Sequence, residues 1–213
     1  LLDFPMQATL TAVFARGGSA VSLEERLQED LALWGASTAP VSFLDNHDMS
    51  RFLAWTPDAN RLVAALAFMS ALSGPEVIFY GTETGLASGA PKNGFTDSSR
   101  VPMPWGSLDA ALVARVAKVL EVRRAHPSLW RGARLPIRAG KELLVMAKKD
   151  GGETTLVGVN LGEESEVEVD LDGLVAEDVA LRSVLGESTF APVPGSRRIR
   201  WRLPALSTSI LAP

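Results

Sequence analysis

The hydrophobic period of this chain changes near residue 128, and that change limits its fold more than any other feature. Before it, short apolar runs at residues 1–4, 41–44 and 77–80 alternate with helical patterns at 6–15, 22–34, 58–72 and 107–125. Asp58 stands where the third helix needs an N-cap, and Ser107 or Asp109 serves the last. Ser22 with Glu25 three residues on reads as a capping box. Repeated strand–helix alternation is the pattern of βα units around a parallel sheet. A closed barrel needs eight such units over roughly 250 residues, so three supply less than half of one.

After residue 128 the runs are short and regularly spaced, at 143–147, 154–160, 165–171, 180–185, 198–203 and 207–211. Turn signals such as Asp150-Gly151-Gly152, Asp172-Gly173 and Pro194-Gly195 separate them. The stretch Ser165-Glu166-Val167-Glu168-Val169-Asp170-Leu171 alternates strictly, as a strand with one wet face does. This spacing predicts an antiparallel β-sandwich of about six strands. The expected division is residues 1–128, carrying the βα units, and 129–213, carrying the sandwich.

Charge and composition narrow the function classes. With 21 Lys+Arg against 25 Asp+Glu the net charge is −4, and no basic block marks a nucleic-acid partner. The longest apolar stretch, residues 62–72, is about half of what a membrane-spanning helix requires. No cysteine is present, so disulfides and thiolate metal sites are excluded. Neither a metal nor a cofactor is expected from the two histidines and scattered carboxylates. The opening Leu1-Leu2-Asp3-Phe4-Pro5 carries no initiator Met and no signal pattern, so the chain is expected to be a soluble piece of something longer.

Chemistry concentrates in one place. The apolar run Val41-Ser42-Phe43-Leu44 ends in Asp45-Asn46-His47-Asp48, two carboxylates, an amide and an imidazole in four residues. At the C-terminal end of a barrel strand, where such folds hold their active sites, a carboxylate can stabilise developing positive charge or bind a hydroxyl, and an imidazole can donate to another. The competing reading is a polar loop whose Asp and Asn satisfy local backbone groups.

Several segments, in order, resemble the α-amylase family of glycoside hydrolases. Phe43-Leu44-Asp45-Asn46-His47-Asp48 resembles its fourth conserved segment. Val77-Ile78-Phe79-Tyr80-Gly81-Thr82-Glu83-Thr84-Gly85 resembles its eighth-strand motif, and Arg100-Val101-Pro102-Met103-Pro104-Trp105 the loop after it. Arg123-Arg124-Ala125-His126-Pro127-Ser128-Leu129 is similar to the end of the last barrel helix, and Leu2-Asp3-Phe4-Pro5-Met6 to the sixth strand of neopullulanase- and cyclomaltodextrinase-like members. The resemblance implies the last three βα units of a (β/α)8 TIM barrel followed by a β-sandwich C-terminal domain, an α/β plus all-β architecture.

It also implies roles. Asp48 matches the family's third catalytic carboxylate, a transition-state stabiliser. His47 matches the histidine bonded to the same sugar, and Asn46 would hold the turn that aims them. Arg51 matches an arginine near the non-reducing side of the cleft. Trp55 is a candidate sugar platform, while Trp34, Trp105, Phe79 and Tyr80 are expected in the core and Glu83 as a loop brace. His126 is expected as a cation at a helix end. A retaining glycosidase needs a nucleophilic carboxylate and an acid/base roughly 5 Å apart. The resemblance puts both upstream of this chain, so the 213 residues alone are not expected to hydrolyse a glycosidic bond. The implied substrates of the whole enzyme are maltodextrins, starch or cyclodextrins, and the implied partner is the rest of the barrel. The rivals are a non-catalytic sugar-binding or interaction module, a self-associating half-barrel, and a transglycosylase or isomerase of the same family.

Overall fold

The computed structural model describes residues 1–35 and 38–213. Three segments run side by side in parallel. Leu2 bridges Val41, and β1 (Ser42–Phe43) pairs with β2 (Glu76–Val77). Helices follow each of them. Leu2 leads into α1 (Phe4–Leu10), capped by Asp3, whose Oδ1 accepts from the Met6 amide at 2.9 Å, with Pro5 in the first turn where its missing N–H is harmless. A π-helical turn (Thr11–Ala15) and α2 (Val21–Trp34) complete this unit. After β1 come α3 (Phe52–Trp55) and α4 (Ala59–Met69), and after β2 a long irregular stretch, then α5 (Ala110–Ala125) and α6 (Ser128–Arg131). Asp58 and Asp109 cap α4 and α5 through the Asn60 and Leu112 amides.

Two local expectations need correcting. The paired stretches are shorter than the apolar runs: Leu2 makes a single bridge, and β1 and β2 pair over two residues each. Leu44 is 2 % exposed yet lies beyond the paired residues. The Ser22–Glu25 capping box does not form. Helix α2 starts earlier, with Ser22 inside it, and Ser19 Oγ accepts from the Val21 amide at 3.2 Å.

The rest of the chain is antiparallel. A five-stranded sheet has the order β3 (Ala133–Ala139), β4 (Leu143–Asp150), β5 (Glu153–Asn160), β10 (Ser207–Ala212), β7 (Arg182–Leu185). A three-stranded sheet has the order β6 (Ser165–Asp170), β9 (Arg198–Leu203), β8 (Thr189–Pro192). These are eight strands among the described residues where about six were expected. The two that the pattern does not reveal, β3 and β8, are edge strands carrying Pro136 and Pro192, and edges tolerate a residue without an N–H.

The hydrophobic patterns follow from which faces are covered. In β4 and β5, alternate residues serve two cores. Leu144, Met146, Val157 and Val159 face the helices, whereas Leu143, Val145, Ala147 and Leu156 face the small sheet. A strand buried on both faces reads as a continuous apolar run. Strands β6 and β9 have one wet face, and their outward residues pair across the strands as Glu168–Arg200 at 3.2 Å and Asp170–Arg198 at 3.5 Å. Gly158 makes room for Trp201, since a Cβ there would lie 2.8 Å from the indole Cη2. Helix α4 is buried from Ala64 through Met69, wedged between α5 and the large sheet, where Thr208 Oγ1 donates to Ala64 O at 2.8 Å. The helical core is therefore continuous with the helix-facing side of the large sheet, while the interior of the sandwich forms a second core. Among the described residues no helix is long and apolar enough to cross a membrane.

Candidate active site

The polar cluster begins where β1 leaves the sheet. Asp45 is 2 % exposed and is spent on scaffolding. Its Oδ2 accepts from the Phe52 amide at 2.8 Å and its Oδ1 from Thr82 Oγ1 at 2.7 Å, which ties the end of β1 to α3 and to the loop after β2. Burial raises its carboxyl above the usual range, opposed by those two hydrogen bonds and by Arg51. Asn46 Oδ1 accepts from the Asp48 amide at 2.8 Å, closing an Asx-turn that turns the next two side chains outward.

His47 and Asp48 are the exposed pair, with 57 % and 46 % of their side chains open, and His47 Nε2 lies 3.4 Å from Asp48 Oδ2. Asp48 and Trp55 line one cleft of about 570 Å³, with Arg16, Lys92, Asn93 and Phe95 around them. The Arg16 guanidinium lies 5.1 Å from the Trp55 ring centroid, so one indole face carries a cation. The structure thus brings Asp48 and Trp55 to one cleft, with His47 beside Asp48.

Arg51 is different. Its side chain is fully buried, at 0 % exposure, and does not reach the cleft. The guanidinium lies 4.1 Å from the Phe79 ring centroid and 4.7 Å from that of Tyr80. Nη1 donates to Tyr80 O at 2.5 Å and Nη2 to Ser99 O at 3.0 Å. The expectation of an arginine at the sugar is corrected: this one fastens the loop after β2 beneath the site. Tyr80 is correspondingly 43 % exposed rather than in the core, since its ring covers the cation and its hydroxyl donates to Val101 O at 2.7 Å. Trp105 is also not core. It is 78 % exposed in the loop before α5. Glu83 sits in the turn Thr82–Thr84 with Oε2 buried and without a hydrogen-bond partner. His126 ends α5 as its C-cap, with Nδ1 2.8 Å from Glu153 Oε1.

Arg100, to which the sequence assigns no role, also reaches the site. Its Nη2 lies 2.6 Å from Asp48 Oδ1, its Nε donates to His47 O at 3.1 Å, and Asp97 Oδ1 is 3.2 Å from the same nitrogen. Its place at the head of the Arg100-Val101-Pro102-Met103-Pro104-Trp105 loop was the available signal. Among the described residues no group of three or more His, Cys, Asp or Glu is arranged to hold a metal ion.

No protein-family model matches the chain. Individual proteins do. It is 26 % identical over 153 residues to α-amylase 2 of Dictyoglomus thermophilum, which covers 69 % of this chain and 26 % of that protein. It is 30 % identical over 161 residues to the cyclomaltodextrin glucanotransferase of Bacillus licheniformis, covering 75 % of this chain and 22 % of the relative. The chain therefore spans about a quarter of the length of these curated relatives. Among solved structures, AmyP in complex with maltose superposes with a TM-score of 0.83 at 22 % identity, over 99 % of this chain and 49 % of that one. At that identity the likeness speaks for the fold, while the sequence matches carry the kinship. Together with the order of the conserved segments, they make this chain a member of the α-amylase family of glycoside hydrolases, matching a C-terminal portion of its members.

Proposed function

We propose that this chain is the C-terminal part of a longer retaining enzyme acting on α-1,4-glucosidic bonds, and that it contributes the sugar-binding side of the active site. The observation that carries this reading is the convergence of Asp48 and Trp55 on one cleft at the end of a parallel strand, with His47 3.4 Å from Asp48. In the proposed roles, Asp48 hydrogen-bonds the sugar at the cleavage point and offsets the positive charge of the oxocarbenium-like transition state. His47 donates to a hydroxyl of the same sugar. Trp55, which lines the cleft, serves as a platform for a pyranose. Maltose bound to AmyP supports an oligosaccharide as the ligand. Arg51 acts only from below, by holding the loop.

The nucleophile and the acid/base are assigned to upstream strands. Residues 1–128 are the last part of the barrel and 129–213 the β-domain packed on it. Exposed Leu2, Phe4 and Val77, at 47 %, 49 % and 46 %, are the surface that the rest of the barrel would cover. The test is direct. The 213-residue chain alone should release no reducing sugar from a maltodextrin, whereas the protein expressed from the whole gene should. Hydrolysis by the short chain, or none by the long one, would overturn the reading.

A further inference from the structure

The carboxylate of Asp48 has little to hold it from its own segment. Its main chain is fixed at both ends, by the Asn46 side chain on its amide and by the Thr96 amide on its carbonyl at 2.9 Å. Its side chain is nearly half open to solvent and could point in several directions. What limits it is Arg100. That guanidinium reaches Asp48 Oδ1 with one nitrogen and the carbonyl of His47 with another, while Asp97 braces it from behind. The same segment is stitched to the turn again by Ser99 Oγ, which donates to Met49 O, and by Arg51 on Ser99 O.

We infer that Arg100 is a positioning residue for the reaction: it fixes the rotamer of Asp48, holding Oδ1 so that Oδ2, on the His47 side, is presented to the sugar. This rests on the reading of Asp48 given above. An ion pair as exposed as this one contributes little to folding, because solvent screens it and the long arginine side chain must be ordered to make it. Its value lies in geometry. A fork with two donors in a fixed plane can grip a carboxylate and a carbonyl at once, which an ammonium on a flexible stem cannot do. A transition-state contact is sensitive to such placement, and an error of about 1 Å can cost on the order of 100-fold in rate.

The experiment uses the whole gene product and maltodextrin turnover, with Asp48→Asn as the reference. Arg100→Ala should lower kcat by on the order of 100-fold while KM and the unfolding temperature stay close to wild type. Guanidinium ion below denaturing concentration should restore part of the lost kcat. Arg100→Lys, which keeps the charge and loses the fork, should fall between, and it carries the same comparison if the alanine variant does not fold. Wild-type kcat in Arg100→Ala alongside an inactive Asp48→Asn overturns the inference and leaves the reading of Asp48 intact. A loss of kcat that neither guanidinium nor lysine relieves overturns it too, as the mark of a loop tie alone. Full activity in Asp48→Asn refutes the underlying reading instead.

Discussion

If Arg51 is a brace beneath the site, its loss should be read in stability before it is read in sugar binding. Replacing it by Met keeps most of the buried stem and removes the guanidinium. Two carbonyl oxygens, of Tyr80 and Ser99, then lose a charged donor, and each such hydrogen bond contributes about 1.5–3 kcal/mol. Part of that is offset, because a buried guanidinium is itself costly to desolvate. The net expectation is a loss of about 3 kcal/mol, in line with removing one partner of a buried charged network. For a chain of this length each kcal/mol moves the unfolding midpoint by about 2–4 °C, so Arg51→Met should lower it by about 6–12 °C. Arg51→Lys should recover little of this, since one ammonium cannot reach both carbonyls while stacking on Phe79 and Tyr80. Thermal unfolding of the 213-residue chain followed by circular dichroism measures both. An unchanged midpoint, with weakened maltooligosaccharide binding in the whole protein, would show that Arg51 works at the sugar and that the bracing argument is wrong.

Other perturbations probe separate parts of the molecule. Lys148 is 3 % exposed, with Ser73 Oγ at 3.1 Å, and burial, helped by Arg134 and Arg123, lowers its amine to about 8. Between about pH 8 and the ordinary lysine value the unfolded chain holds the proton that the folded one has lost, so folding stability should rise across that window. Lys148→Met should therefore stabilise the chain most at neutral pH, with the gain shrinking by about pH 10; an equal gain at both would contradict the sign. A Cβ on Gly132, between α6 and β3, would lie 2.4 Å from Ser128 O and 2.8 Å from Lys149 N, both backbone atoms, so Gly132→Ala should cost about 1–3 kcal/mol in a denaturant melt. Trp105→Ser, at a residue 78 % exposed, should leave the unfolding free energy within about 0.5 kcal/mol of wild type in a denaturant melt.

The fold was legible where burial writes itself into sequence. Helix α4 begins at the Asp58 cap expected of it, and α5 at Asp109, one of the two caps expected there, because a short carboxylate before an apolar run has one good partner, the free amides of the first turn. Strands β6 and β9 alternate because one face is wet. Strands β3 and β8 escaped because an edge strand with a proline and exposed residues looks like a loop. Ser22 escaped for another reason. The capping-box pattern names a possible partner, but the turn begun at Ser19 had already placed Ser22 inside the helix.

At the site, Asp48, His47 and Asn46 were readable as a cluster because they are neighbours in sequence. Trp55 was readable because it follows closely. The fates of Arg51 and Arg100 were not. Both are arginines in or beside segments that resemble the family's motifs, and only tertiary packing separates them. Arg51 is swallowed between Phe79 and Tyr80, while Arg100, 52 residues beyond Asp48, folds back onto its carboxylate. The role of Asp45 was hidden for the same reason, since its partner Thr82 comes from the next strand's loop.

In the proposed function, Asp48 is the catalytic carboxylate that this chain contributes to a longer enzyme. Maltodextrin turnover by the whole gene product, wild type against Asp48→Asn, tests it most directly. The amide is the same size, and the site is open enough that folding should not change. Turnover should be present in the wild type and almost completely lost in the variant, at an unchanged unfolding temperature. Comparable turnover in the two would contradict it.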